Sequence, residues 1–381
     1  MSATLFEPLE IGGMTIPNRT IVAPMAQYSA VDGLPGDWHA QHWGSLLVGG
    51  AGLLISEATS VERSASGVTR SLALYTDEHE AGMKQVFDRV RTLSTAKFGI
   101  QLGHNGRKAS TRLPWEGGRP LPPAEGGWEV FAPSPEPFGD GWPVPTALDS
   151  AGVEHIRDAF ANSAARAARI GFDLVEIHAA HGYLLHSFLS PLTNRRSDRY
   201  GGSFENRIRL LREIVVSVRA VFPAPRAVGV RLNACDWLEG GLEAADVVAI
   251  SAALREAGCD YISVSAGALS SGSRIPAVPG YLVPFAEKIR KEAAVTTVVS
   301  GLIHDPFLAN DIVSRGQADA VAIARGFLND PRWAWRAAEA LGVNLDYPRP
   351  YERCHPSVWS GTMFQRCRSR NDAEPGRRRD A

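Results

Sequence analysis

Residues 158–183 read DAFANSAARAARIGFDLVEIHAAHGY, and the backbone pattern changes twice within them. A helical, one-sided apolar pattern over 152–170 stops at Gly171, where a left-handed residue commonly closes a helix. A short apolar run, 174–178, follows, with the length and composition of a buried parallel strand. It gives way at once to polar His178-Ala-Ala-His181-Gly-Tyr183. Outward from here the alternation recurs through most of the chain. Apolar runs lie at 20–23, 53–57, 98–102, 228–232, 261–265, 297–300 and 320–323, with helical patterns at 77–93, 206–221, 243–257, 283–292, 306–315 and 331–340. Asp149 or Ser150 can cap the helix near Gly152, and Pro306 after Asp305 suits a first helical position. About eight strand-then-helix units predict an α/β fold, a single (β/α)8 TIM barrel. A doubly wound open sheet usually carries GxGxxG after its first strand, whereas here that strand runs into Ala23-Pro24-Met25.

Two stretches break the rhythm. Residues 103–147, rich in Pro, Gly and Trp, fall after the third strand and read as a lid insertion. From residue 344 the chain reads as a C-terminal extension ending in Arg-rich GRRRDA, its last dozen residues expected to be disordered. The expected division is a barrel over 1–343 and an extension over 344–381.

Composition narrows the function. With 44% hydrophobic and 21% charged residues among 381, a large core can form. Lys+Arg is 40 against Asp+Glu 41, which speaks against a nucleic-acid partner. No apolar stretch approaches the ~18 residues of a spanning helix, and MSATLFEPLEIGG lacks a signal pattern. No membrane association and a cytoplasmic location are therefore expected. Cys235, Cys259, Cys354 and Cys367 form no CxxC pair, so structural thiols are expected rather than a zinc ribbon or disulfide scaffold.

Barrels place their chemistry at the C-terminal ends of the strands. Gln101, His178 and Arg231 lie there. Ser300-Gly301-Leu302 and Ala324-Arg325-Gly326 follow the seventh and eighth strands, and they offer close backbone N–H groups plus a cation, as a phosphate site requires. His178 and His181, three apart, would share one face of a helical turn and converge on one atom. That atom could be a metal, although a third ligand is not evident. It could instead be a carbonyl oxygen, with Tyr183 supplying a proton, or the pair could be hydrogen-bonded core histidines.

The segment EIHAAHGYLLHSFLSPLTNRRSDRYGGSFENR, 176–207, resembles the old yellow enzyme family, as do NRTIVAPMAQYSA, GIQLGHNGRKA, VGVRL and DAVAIARGFLNDP in the same order. Together these blocks span nearly the whole barrel, and they resemble the bacterial thermophilic-like subclass. The resemblance implies an FMN-dependent NADPH dehydrogenase and ene-reductase, reduced by NADPH or NADH. It would deliver hydride from flavin N5 to activated alkenes such as enones, maleimides and nitroalkenes. It places Pro24, Met25, Ala26 and Ala58 against the flavin and Gln101 at the pyrimidine edge. Arg231 would stand beside N1 and O2, with Ser300, Gly301, Leu302, Ala324 and Arg325 at the phosphate. His178 and His181 would bind the substrate's activating oxygen, Tyr183 would donate the proton, and Tyr28 would line the opposite wall. Arg353 would reach into a neighbouring subunit's pocket, in a homodimer or higher oligomer. One position departs: where the subclass typically has Cys, this chain has Ala26, whose side chain makes no hydrogen bond.

Three rival readings use the same kind of barrel, and the cysteines rule out the last. An FMN-dependent amine or N-methyl demethylase could use the same barrel with the hydride running the other way. A metal-dependent hydrolase would use His178 and His181 as ligands. An iron–sulfur reductase of the dienoyl-CoA type would need four clustered cysteines, and only Cys354 and Cys367 follow the barrel.

Overall fold

Alternate residues of the apolar runs separate into two packed groups, as period-two backbone requires. Ile21, Leu53, Leu174, Tyr261, Val298 and Ala320 belong to one, and Val22, Leu54, Val175, Ile262, Val299 and Val321 to the other. The second group packs with the apolar faces of the surrounding helices, which leaves the first to fill the interior of a barrel. The computed structural model describes residues 3–361. In it eight parallel strands close in sequence order: Thr20–Val22, Leu53–Ser60, Lys97–Gly103, Leu174–Ala179, Ala227–Asn233, Tyr261–Ser265, Thr296–Val299 and Ala320–Ile323. The eighth strand pairs with the first, Val321 opposite Thr20, and completes the ring. The fold is therefore the expected (β/α)8 TIM barrel.

The capping signals act as read. The helix Ser150–Ile170 starts where Gly152 N–H donates to Asp149 Oδ1 at 2.7 Å, and Pro306–Ser314 starts where Leu308 N–H donates to Asp305 Oδ1 at 2.8 Å. One barrel helix, Asp37–Leu47, has no counterpart in the sequence reading. Its N-cap is Gly36, so no Ser, Thr, Asn or Asp announces it. Its first turn is closed instead by Gly36 N–H donating to His39 Nδ1 at 3.1 Å. The short helices Leu184–Leu189 and Arg325–Asn329 also escape, because one to two turns carry no measurable period.

Residues 103–147 do form an insertion after the third strand, built from 3-10 turns and a two-stranded pairing of Phe131–Ala132 with Thr146–Ala147. Its anchor is the buried Arg107. That side chain donates to the Glu136 and Pro137 carbonyls at 2.9 and 3.0 Å and to the Leu269 carbonyl at 2.5 Å. At the other end of the described chain Tyr347 stacks on Trp335 with centroids 3.9 Å apart. The disorder expected for the last residues, and Cys367, lie outside the described residues. Among the described residues no helix is long and apolar enough to cross a membrane.

A polar chain crosses the barrel interior. Gln101, Glu176, Gly229 and Tyr261 are direct neighbours on four successive strands. Gly229 makes room for the Tyr261 ring, since a Cβ there would fall 1.9 Å from Cε1. Tyr261 O–H donates to Glu176 Oε2 at 2.9 Å, and Gln101 Nε2 donates to Glu176 Oε1 at 2.7 Å. Burial and the Glu176 carboxylate push the Tyr261 hydroxyl well above its ordinary pKa, so it remains a donor. Tyr261→Phe leaves one carboxylate oxygen of fully buried Glu176 without its donor. The expected loss is about 1–3 kcal/mol, read as a lower urea midpoint with an unchanged m-value.

Candidate active site

The fourth strand ends at Ala179 and the chain turns back sharply. His178 is buried near the strand end, and its Nδ1 accepts the Ala180 N–H at 3.2 Å. Three residues after His178, His181 adopts left-handed backbone with φ +63°. Three contacts hold it there. Its N–H donates to Asn233 Oδ1 at 3.1 Å, and its carbonyl accepts Lys108 Nζ at 2.8 Å. Its ring occupies the space that a side chain at Gly267 would take, where a Cβ would lie 2.3 Å from Cδ2. Tyr183 then stands at the N-cap position of the helix Leu184–Leu189 without a side-chain capping bond. The His178 and His181 ring centroids are 4.8 Å apart, and Tyr183 lies 4.9 and 6.2 Å from them. The three side chains converge, but not on a helical turn: strand end and left-handed residue do the work that helical spacing was expected to do.

The electrostatics make this a set of neutral donors. Burial, followed by Arg231 and Lys108 for His178 and by His178 and Arg231 for His181, holds both imidazoles well below their ordinary pKa. Burial, reinforced by Tyr28, raises Tyr183 to about 12, so its hydroxyl stays protonated. Among the described residues no group of three His, Cys, Asp or Glu side chains is placed to hold a metal ion.

Arg231 pairs directly across the sheet with His178. Its Nη2 donates to Ser265 Oγ at 3.1 Å, while its buried Nε has no hydrogen-bond partner among the described residues. An orphaned guanidinium nitrogen beside a cavity is what a missing acceptor leaves behind. Gln101, with its Nε2 committed to Glu176, keeps Oε1 as an acceptor. Ala58 sits at a bulge between the second and third strands. Beside it the buried Glu57 accepts the Gln27 N–H at 2.7 Å, and Met25 O accepts Gln27 Nε2 at 2.9 Å, which tie down the loop 24–28 carrying Pro24, Met25 and Ala26.

Two cavities open at the C-terminal ends of the strands. Ser300, Gly301, Leu302, Ala324 and Arg325 line one of ≈ 450 Å³ together with Arg231 and His181. Gly301 and Leu302 are both left-handed, at φ +114° and +57°, and line this cavity beside the Arg325 cation, a combination that suits an anion. Ala26, Tyr28, Ala58 and Tyr183 line the other, with Lys108 and Trp142 from the insertion. The donor set fits an elongated ring system with an anionic end, as in FMN. Arg353 is exposed on the 3-10 helix Arg349–Cys354 and lines neither cavity.

Sequence reading missed Asn233, Ser265, Lys108 and Trp142 at this site. Asn233 and Ser265 end the fifth and sixth strands, a position that marks them once the barrel is accepted. Lys108 is one of only five lysines among 40 basic residues, and that rarity in a strand-end loop was its signal.

Over residues 4–344 the chain matches the model of the NADH:flavin oxidoreductase / NADH oxidase family. It is 41% identical over 355 residues to an NADPH dehydrogenase of Geobacillus sp. (strain WCH70), covering 93% of this chain and 99% of the relative. The NADPH dehydrogenase of Bacillus subtilis (strain 168) is 40% identical over the same length and coverage. Among solved structures, morphinone reductase in complex with tetrahydroNAD superposes with a TM-score of 0.74 at 32% identity, over 90% of this chain and 92% of that one. The old yellow enzyme homologue from Zymomonas mobilis gives 0.74 at 27% identity, over 90% and 94%.

Lys108 offers a pH test of the site's packing. Burial and neighbouring Arg107 push its ammonium down to about 8. Between that value and the ~10.4 of an unfolded lysine, the unfolded chain holds the proton and the folded protein has lost it. This group therefore adds to stability as pH rises through that window. In Lys108→Met that increment should vanish, measured as the difference between urea midpoints at pH 7.5 and 10 for wild type and variant.

Proposed function

The chain belongs to the NADH:flavin oxidoreductase / NADH oxidase family and is an FMN oxidoreductase of the old yellow enzyme type using NAD(P)H; from that premise we propose that it is an ene-reductase acting on activated C=C bonds of enones, maleimides or nitroalkenes. The observation that carries this reading is the convergence of two neutral imidazoles and a protonated tyrosine within 4.8–6.2 Å, beside a buried arginine with an unsatisfied nitrogen. Such a set can hold one oxygen and protonate a neighbouring carbon.

In this proposal FMN, when bound, supplies a hydride to the alkene carbon β to the activating group. His178 and His181 donate hydrogen bonds to the carbonyl or nitro oxygen, where negative charge builds as that hydride arrives. Tyr183 gives its proton to the α-carbon and regains one from solvent, so the alkene gains two hydrogens and two electrons in all. Arg231 would donate to the ring's N1 and O2 side, and Gln101 would accept from the pyrimidine N–H. Pro24, Met25 and Ala58 contact the ring through backbone and small side chains. The phosphate would be held by Ser300, Gly301, Leu302, Ala324 and Arg325. Tyr28 forms the opposite wall of the substrate space. Ala26 contributes no thiol to ring or substrate, so tuning of the flavin falls to Arg231 and the backbone. NADPH, the reductant in the relatives' names, or NADH reduces the enzyme. A cytoplasmic homodimer or higher oligomer, with Arg353 completing the neighbouring pocket, is part of the proposal.

Anaerobic stopped-flow reoxidation tests it. Replacing His178 or His181 with Ala should weaken binding of a phenol such as p-cresol roughly tenfold to a hundredfold, because each hydrogen bond to a charged group is worth ~1.5–3 kcal/mol. Tyr183→Phe should leave reduction by NADPH and p-cresol binding nearly intact, yet slow reoxidation by 2-cyclohexenone about 10²–10⁴-fold. A nitroalkene should be slowed less, since its nitronate is stable enough to leave and be protonated in water. Equal slowing of both substrates would remove Tyr183 from the proton step. Reduction of the oxidised enzyme by N-methylated amines, with no response to enones, would favour the demethylase reading instead.

A further inference from the structure

The two histidines present different nitrogens to the protein, and this difference has a consequence for catalysis. At His178 the backbone decides: Ala180 N–H donates to Nδ1, so the ring's own proton sits on Nε2. At His181 it is Nε2 that is engaged, 2.8 Å from Ser265 Oγ. Ser265 closes the sixth strand, is buried, and receives Arg231 Nη2 at 3.1 Å on the same oxygen. A guanidinium can only donate, so Ser265 Oγ is the acceptor in that bond and keeps one proton to give. Directed at His181 Nε2, that proton satisfies both groups. Directed elsewhere, it leaves a buried hydroxyl without an acceptor among the described residues, at a real free-energy cost.

We infer that Ser265 is a positioning residue that sets His181 as the Nδ1–H tautomer, so that the substrate's oxygen receives its two hydrogen bonds from unlike nitrogens, Nε2–H of His178 and Nδ1–H of His181. With the other tautomer His181 would turn a lone pair toward an oxygen on which negative charge is building, and the second donor of the pair would be lost. Both imidazoles are neutral, so the placement of one proton, rather than the ring's charge, decides whether His181 helps or repels. Flipping the ring is opposed by its surroundings. Asn233 fixes the His181 N–H, Lys108 fixes its carbonyl, and the ring lies where Gly267 alone leaves room. The chain Arg231–Ser265–His181 also joins the arginine assigned to the flavin ring to a group assigned to the substrate. A shift at one is therefore felt at the other through a single hydroxyl.

The catalytic consequence rests on the reading of His181 as a substrate contact, whereas the tautomer itself can be observed without any substrate. The test uses the full chain loaded with FMN and labelled with ¹⁵N-histidine, studied by long-range ¹H–¹⁵N correlation at pH 7.5. His181 and His178 are assigned by the signals missing in His181→Gln and His178→Gln. The expected result is the Nδ1–H pattern for His181 and the Nε2–H pattern for His178. An Nε2–H pattern at His181 overturns the inference, whatever the enone kinetics. In Ser265→Ala the His181 preference should weaken, the KM for 2-cyclohexenone should rise and p-cresol binding should fall roughly tenfold, with Ser265→Thr restoring all three. A wild-type pattern retained in Ser265→Ala also overturns it. Should the tautomers come out as stated while p-cresol binds equally well to wild type and His181→Gln, the substrate reading fails and the positioning of His181 by Ser265 stands.

Discussion

The site depends on one turn, in which His181 is held in left-handed backbone between the fourth strand and the helix Leu184–Leu189. For an L-residue with a large side chain that conformation costs about 1–2 kcal/mol, and it persists because the surroundings determine it from three sides. Asn233 takes the N–H, Lys108 takes the carbonyl, and Gly267 yields the space for the ring. These residues come from the fifth strand, the insertion after the third, and the loop after the sixth. Without barrel closure they would not meet. The turn in turn carries Tyr183 into register with His178 and sets the ring spacing on which the proposed chemistry relies.

Left-handed non-glycine residues recur where the site is built. Tyr28, His181 and Leu302 all have positive φ and all line the two cavities. Sparsely populated backbone concentrates at functional sites because side chains there must be aimed where regular structure would not send them. Beneath them Gln101 and Tyr261 each donate to one oxygen of the buried Glu176 carboxylate, which ties three successive polar positions of the floor together. The insertion brings Lys108 and Trp142 over the mouth and is pinned by Arg107 to the loop after the sixth strand. Strain at the rim and order below are compatible because the Glu176 hydrogen bonds do not draw on any rim residue.

Much of this is legible in the residues. Eight apolar runs mark the eight barrel strands, since strands buried on both faces leave near-continuous hydrophobic signatures. Polar residues at their ends mark the site because the barrel has only one functional face. The helix Asp37–Leu47 was invisible because its cap is a glycine and its closing acceptor a histidine ring. The convergence of His178 and His181 was read, but through the wrong backbone, since spacing alone does not distinguish a helical turn from a left-handed one. Ser265 and Asn233 are marked only by their strand-end positions, and their roles are not legible in the sequence because their partners lie 84 and 52 residues away. Arg353 lies on the surface of this chain, and any role at a pocket depends on a second copy that one sequence does not describe.

Isotopic labelling of the product tests the central claim, that hydride and proton reach adjacent carbons from separate sources in one pocket. Reduction of 2-methyl-2-cyclohexenone by NADPH deuterated at the transferable position of C4, in ordinary water, should place deuterium at the β-carbon alone. The same reaction with ordinary NADPH in D2O should place it at the α-carbon alone, on the opposite face of the ring, as delivery from Tyr183 across the pocket requires. Deuterium from solvent at the β-carbon, or both hydrogens on one face, would contradict the assignment of His178, His181 and Tyr183 to a single catalytic site.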